Sequence, residues 1–127
     1  IAFEGKTGPY ILYTIVRINA IFNKVGNFSC NFTALTKYIT PAIRNVLLSI
    51  MKLTEAYNVA LNTLSLNAIT DAIYNLANNF TTFYAEQNII HEVNLEKKEL
   101  CLSIAKLTKT ALEIGLHTLA IDTVEKM

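Results

Sequence analysis

The sequence predicts an all-α fold, a single bundle of about five helices, and three observations carry that prediction. Hydrophobic residues make up 52% of the 127 positions, too many for a disordered chain. Only 4 Gly and 2 Pro punctuate the chain, too few for the many turns of a β-sandwich. Apolar residues recur mostly at spacings of three and four, the period of a helix with one buried face. A chain of this length fits one domain, residues 1–127, able to bury about two thirds of its unfolded surface. Arg17, Asn23, Arg44, Asn45 and Lys52 interrupt the most apolar stretches, so none approaches the ~20 residues of a membrane span and a soluble protein is expected.

The elements follow in order. Gly8-Pro9 opens the first helix, with Gly8 at the cap and Pro9 where a missing N–H costs nothing, and Gly26 stops it. Residues 27–36 read as a loop of mixed character. Thr40-Pro41 repeats the cap-plus-proline signal and starts a second helix to about Lys52, and Thr54 is expected to cap a shorter third one ending near Thr63. Ile69, Ile73, Leu76, Ala77, Phe80, Phe83 and Tyr84 form the stripe of a long amphipathic helix over residues 67–87. Residues 88–93 form a loop, with a brief extended stretch at Asn88-Ile89-Ile90 as the variant reading. Asn94 caps the last long helix, whose apolar stripe is Leu100, Ile104, Leu107, Ala111, Ile114 and Leu119. Gly115 inside that helix points to a close backbone approach or a bend, and residues 121–127 are expected to form a short tail.

Charge is asymmetric although the net value is only +1. Through Leu53 there are six basic residues and one acid, a local +5, whereas the remainder holds five basic residues and nine acids, a local −4. An anionic partner is therefore expected on the N-terminal elements, with ordinary solubilising charge as the bland reading. Cys30 and Cys101 are too few and too far apart for a disulfide framework and read as reduced thiols, as in a cytosol. The Asn-x-Ser/Thr matches at Asn27, Asn31 and Asn79 are expected by chance in an Asn- and Thr-rich chain.

Catalytic and metal-binding patterns are hard to assemble. His91 and His117 fall in different elements, and Glu113 with His117 supplies two ligands at most. No phosphate-cradling glycine loop or nucleophile elbow occurs. Binding is the better reading, and the first helix carries it. At 100° per residue, Ile11, Ile15, Ile18, Phe22 and Val25 share one face, while Tyr10, Tyr13 and Arg17 share another about 130° away, with Lys24 two turns further on. Aromatic rings and a guanidinium suit unpaired nucleotides, because rings stack on bases and Arg stacks, pairs with base edges or holds phosphate. Half-buried tyrosines and a solvated Arg17 are the structural alternative.

Phe3-Glu4-Gly5-Lys6-Thr7-Gly8-Pro9-Tyr10-Ile11-Leu12-Tyr13 followed by Arg17, then Tyr74-Asn75-Leu76-Ala77 through Phe80 and Phe83-Tyr84, and the end from Gly115-Leu116 to Val124-Glu125-Lys126-Met127, extend over essentially the whole chain. Together they resemble the C-terminal anticodon-binding domain of arginyl-tRNA synthetase. The resemblance implies an all-helical DALR-type domain of a class I synthetase that grips the anticodon stem and loop of arginine tRNA. It also implies a parent chain whose separate N-terminal catalytic domain attaches arginine using ATP with Mg, so that this segment holds no catalytic site, metal or cofactor of its own. Tyr10, Tyr13 and Arg17 would contact anticodon-loop nucleotides, Tyr84 would add an aromatic contact, and Met127 would lie against an anticodon base. A monomeric, cytoplasmic, non-membrane protein is the accompanying expectation. The start at Ile1 reads as a cut from a longer polypeptide and Met127 as its natural end. Leu12 stands where the family often has Gln, and Leu119-Ala120-Ile121 where it has Leu-Gly-Ile, which bears on how the tail leaves its helix. Since arginine codons share a middle G, the middle anticodon base, a C, is expected to matter most. The alternatives are a helical protein-interaction module, in which Tyr and Arg anchor a protein partner, and an anticodon-binding domain of another synthetase specificity.

Overall fold

The structure, a computed structural model, describes the backbone of residues 7–126 and the side chains of residues 8–120. All regular structure among the described residues is helical: α1 Thr7–Val25, α2 Leu35–Tyr38, α3 Pro41–Thr63, α4 Asn67–Glu86 and α5 Leu95–Lys126. α1 begins at Thr7, so Gly8 lies inside the helix rather than at its cap, and Pro9 sits within the first turn instead of at the first position, still where backbone N–H groups have no intrahelical partner. Gly26 ends the helix at φ 80°, a left-handed conformation that glycine adopts without steric cost, and its N–H reaches Phe22 O at 2.9 Å.

Other sequence-level boundaries are corrected as well. The single-turn α2 lies within and just beyond the expected loop. It is led in by Asn31, whose Oδ1 accepts from Thr33 N at 3.0 Å and Thr33 Oγ1 at 2.7 Å, a local turn that rivals helix for the backbone. The expected second and third helices are one, α3. Thr40 caps it by accepting from Ile43 N at 3.2 Å, but Thr54 caps nothing. No glycine or proline breaks the chain there, and Leu53, Ala56 and Ala60 continue the buried stripe, so burial overrides the modest helix propensity of Thr54. The chain leaves α3 through Leu64 in a left-handed conformation, and the three-residue connection 64–66 folds α4 back along α3. This is the most extensive helix pairing of the bundle. Ser49 Oγ accepts from Asn79 Nδ2 across it.

The core unites the inner faces of all the long helices. Ile11, Ile18 and Ile21 of α1, Ile69, Ile73, Leu76 and Phe80 of α4, and Leu100, Leu102 and Ile104 of α5 are essentially inaccessible to solvent. Each such side chain contributes roughly 1.5–3 kcal/mol relative to an exposed position. Residues 100–105 of α5 are all buried in succession, so neighbours surround that stretch on every side. The expected stripe on α5 holds at Leu100, Ile104, Ala111 and Leu119, whereas Leu107 and Ile114 are exposed, and Cys101, Ala105, Thr108 and Leu112 take up the burial. The expected tail is instead helical backbone, as α5 continues to Lys126. Gly115 is buried where α4 approaches so closely that a Cβ would overlap the Cγ2 methyl of Ile73. Of the two readings offered by its place in the sequence, close approach is the correct one.

The α4–α5 connection is a loop with a turn at residues 89–91, not an extended stretch. Ile89 is buried beneath it. Asn94 caps α5, its Oδ1 accepting from Lys97 N at 3.1 Å. Glu92 ties the segment together, accepting from Asn94 N at 3.1 Å, from Gln87 Nε2 at 2.8 Å and facing Lys97 Nζ at 3.7 Å. The backbone N–H of Asn94, then the Gln87 amide, hold the Glu92 carboxyl below its ordinary pKa. Both cysteines are free, Cys30 exposed and Cys101 buried, and burial pushes the Cys101 thiol up to about 11.

Three outcomes are expected. Gly115→Ala forces α4 and α5 apart. The overpacking, about 1–3 kcal/mol, exceeds the ~1 kcal/mol helix gain, so the melting temperature falls by several degrees. An unchanged or higher value would contradict the close approach. Under native conditions near pH 8, a thiol reagent modifies Cys30 promptly and Cys101 only after denaturant is added; equal rates would place Cys101 at the surface. The depressed pKa of Glu92 means that its stabilising contribution is present above the usual carboxylate range and is lost as pH falls through its folded value. Urea midpoints of wild type and Glu92→Gln should therefore differ at pH 7 and converge as the pH is lowered through that range.

Candidate nucleic-acid interface

The aliphatic face of α1 is turned into the bundle, which leaves its opposite side toward solvent beside the C-terminal half of α4. Arg17, half-buried, joins the two helices: its Cζ lies 4.4 Å from the Tyr84 ring centroid and 5.5 Å from that of Tyr13. Tyr13 is 57% exposed. Tyr84 in turn lies 6.3 Å from Phe80 with ring planes 26° apart, and Phe80 is buried. The result is a staircase of planar groups, Phe80, Tyr84, Arg17 and Tyr13, rising from the core to the surface. Each cation–π contact is worth roughly 0.5–1 kcal/mol at an exposed site, and together they hold a long charged side chain beside the rings with its charge still partly open to water.

Tyr10 stands apart from that staircase. Its hydroxyl donates to Asn78 Oδ1 at 2.9 Å and lies 2.9 Å from Thr81 Oγ1, and its ring centroid is 5.5 Å from that of Tyr74. Its phenol thus braces α1 against α4, while Tyr74, 41% exposed, extends the aromatic surface beside it. The sequence-derived trio is therefore split: Tyr13 and Arg17 lie in contact with Tyr84, and Tyr10 lies half-buried against a different part of α4. Tyr84 satisfies both of its sequence readings, continuing the core stripe through Phe80 and presenting its ring to Arg17. Met127 lies outside the described residues.

Two adjacent cavities flank Tyr84. One of about 350 Å³ is lined by Tyr84, Ala85, Gln87, Asn88, Ile89 and Ile90. A smaller one of about 110 Å³ is lined by Arg17, Ala20, Ile21, Lys24, Tyr84 and Ile90. They share Tyr84 and Ile90, and among the described residues neither has an acidic group in its lining. The smaller cavity combines an aromatic wall with two cations, and the larger an aromatic wall with two carboxamides. A third cavity, about 240 Å³ between α3 and α5, is lined by Ile50, Leu53, Thr54, Tyr57, Leu107, Thr110, Ala111 and Ile114, a set with no charge to hold phosphate.

Sequence reasoning placed Lys24 on the helix face of Arg17, since seven residues return within about 20° on an α-helix. Gln87, at the end of the helix expected over residues 67–87, and Asn88 and Ile90, in the expected loop, were missed because neither a helix end nor a loop carries a periodic signal. Among the described residues no three His, Cys, Asp or Glu side chains gather as a metal site requires. Glu113 pairs with Lys109 at 3.9 Å. No described helix is long and apolar enough to cross a membrane.

With this geometry established, comparison with known proteins is direct. The family model described as the DALR anticodon binding domain matches residues 11–127. The arginine–tRNA ligase of Alkaliphilus oremlandii is 40% identical over 129 residues, covering 99% of this chain and 22% of that protein. The arginine–tRNA ligase of Agathobacter rectalis is 38% identical over 130 residues with the same coverage of 99% and 22%. That of Colwellia psychrerythraea is 29% identical over 128 residues, covering 100% of this chain and 22% of the relative. The chain thus spans about a fifth of the length of the curated relatives it matches. An all-helical bundle matched over nearly its whole length leaves one conclusion as to kinship: the chain belongs to the DALR anticodon-binding domain family.

Proposed function

We propose that this chain binds the anticodon loop of arginine tRNA, as part of a longer arginyl-tRNA synthetase whose catalytic domain attaches arginine using ATP with Mg. In this reading the synthetase acts as a cytoplasmic monomer. The observation that carries the proposal is the Tyr13–Arg17–Tyr84 stack beside two cavities that have Lys24 and two carboxamides in their linings. Recognition of this kind makes no bond. Arg17 and Lys24 hold loop phosphates and set the register, the exposed ring of Tyr13 accepts a base splayed out of the loop, and Tyr84, covered by Phe80 and Arg17, meets nucleotides through its edge beside the cavities. A base stacked on an aromatic ring contributes about 1–3 kcal/mol. Tyr10 acts by fixing the crossing of α1 on α4, and Met127 supplies an apolar contact to an anticodon base. The partial burial of Arg17 and Tyr84 supports this role, because side chains already ordered in the free protein lose little entropy on binding.

The test is fluorescence anisotropy with a labelled arginine-tRNA anticodon hairpin at several salt concentrations. Affinity falls as salt rises, and Arg17→Ala lowers it about tenfold, reducing the salt slope by about 0.7 for a lost phosphate contact to a single strand. The far-UV circular dichroism of the variant stays that of wild type. Equal, salt-insensitive affinity for the hairpin and for one altered at the middle anticodon base would contradict the proposal. Preference for the hairpin of another amino acid's tRNA would reassign the specificity.

A further inference from the structure

Two anchors tie α1 to α4, and they lie two helical turns apart on one side of α1. Tyr10 and Arg17 are seven positions apart, about 10 Å along the axis and within about 20° in rotation. At the first anchor the Tyr10 hydroxyl meets Asn78 Oδ1 and Thr81 Oγ1, each at 2.9 Å. At the second the Arg17 guanidinium lies over the Tyr84 ring, 4.4 Å from its centroid. The packing around them is aliphatic, with Ile11, Ile18 and Ile21 buried in the core. Burial is non-directional, so those residues hold α1 down without fixing where along α4 it stops.

Hydroxyl protons distinguish the two partners of the first anchor. A phenol has one proton to give, and here it goes to Asn78 Oδ1. Thr81 also has one, and its hydroxyl reaches both Tyr10 Oη and, at 2.9 Å, Ala77 O. Thr81 can therefore turn back to its own helix, whereas an amide oxygen only accepts and stays available to the phenol. Asn78 is exposed, so nothing in the core requires an amide at that position.

We propose that Asn78 is a positioning residue for RNA binding: its amide oxygen fixes the phenol of Tyr10, and through it the register at which α1 brings Arg17 to Tyr84. The inference rests on the anticodon-binding reading and adds a residue outside the Tyr13–Arg17–Tyr84 stack. Without that bond α1 can shift, and the guanidinium leaves the range of cation–π attraction, about 6 Å from a ring centroid. The entropy of ordering Arg17 then falls on the binding step.

The experiment measures hairpin affinity in a double-mutant cycle and follows Arg17 by NMR. Asn78→Leu, close to Asn in volume, and Tyr10→Phe remove the same bond. Either lowers affinity for the arginine-tRNA anticodon hairpin roughly fivefold, the net contribution of one hydrogen bond, and combining them does little more. In an Arg17→Ala background Asn78→Leu lowers it by less than about twofold, because the residue through which it acts is gone. In the free protein the guanidinium signals of Arg17 lose the shift imposed by the Tyr84 ring. The methyl signals of Ile18 and Ile73 keep their wild-type positions, which general damage to the bundle would not allow. An equal loss with and without Arg17, unchanged affinity, or Arg17 signals that stay in place overturns the inference, and if one variant does not fold the other decides. Wild type that binds no hairpin overturns the anticodon reading instead, and the Arg17 signals then still decide whether Asn78 sets the register of α1.

Discussion

The packing of α1 across α4 is the constraint from which the rest follows. Most of a helix's stability in a protein comes from packing its apolar face, and α1 is fixed in position by burying Ile11, Ile15, Ile18 and Ile21 in the common core. Once those residues are inside, the geometry of the helix leaves no choice about where Tyr13, Arg17 and Lys24 emerge. They emerge beside the outer edge of α4, where Tyr84 waits on Phe80. The Tyr10 hydroxyl against Asn78 and Thr81 fixes the register of that crossing with directional bonds, which apolar contacts alone do not supply. The functional surface is thus a by-product of core formation, and rigid to the extent that the core is.

That rigidity matters for the proposed anticodon binding, because an RNA loop is flexible and loses entropy when it is fixed. A guanidinium held over two rings and a loop stapled through Glu92 present their groups in place before any nucleotide arrives. The charge distribution acts at longer range. Through Leu53 the chain holds six basic residues and one acid, so an anionic partner is favoured along α1. Of the three cavities described, only the two beside Tyr84 combine an aromatic wall with charged or amide groups. Cations, an aromatic ring and carboxamides, the groups that the proposed function requires, thus lie within one small region.

Much of the fold was legible because helices announce themselves through periodicity and punctuation. Gly26, Thr40-Pro41 and Asn94 were read from chemistry that acts within a few residues, and each occurs as expected. Thr54 misled because its local preference is weak and the burial of Leu53 and Ala56 outweighs it, a tertiary effect invisible to a local rule. Leu107 and Ile114 misled for the same reason, since whether a stripe residue is covered depends on a neighbouring helix and not on its own. At the site, Tyr13, Arg17 and Lys24 follow from one helix and are legible. Their meeting with Tyr84, some seventy positions away, follows only from the crossing of two helices. The parting of Tyr10 from Arg17 depends on Asn78, Thr81 and Tyr74, and no spacing within α1 discloses it.

The central claim is that RNA meets this chain along α1 and the end of α4, and chemical-shift mapping tests it most directly. Titrating an arginine-tRNA anticodon hairpin into the isotope-labelled chain should move the signals of Tyr13, Arg17, Lys24, Tyr84 and residues 87–90 most. Those of the groove between Ile50, Tyr57 and Ile114 should remain still. Shifts gathered instead on α3 and the middle of α5, with the α1 and α4 signals unmoved, would contradict the account.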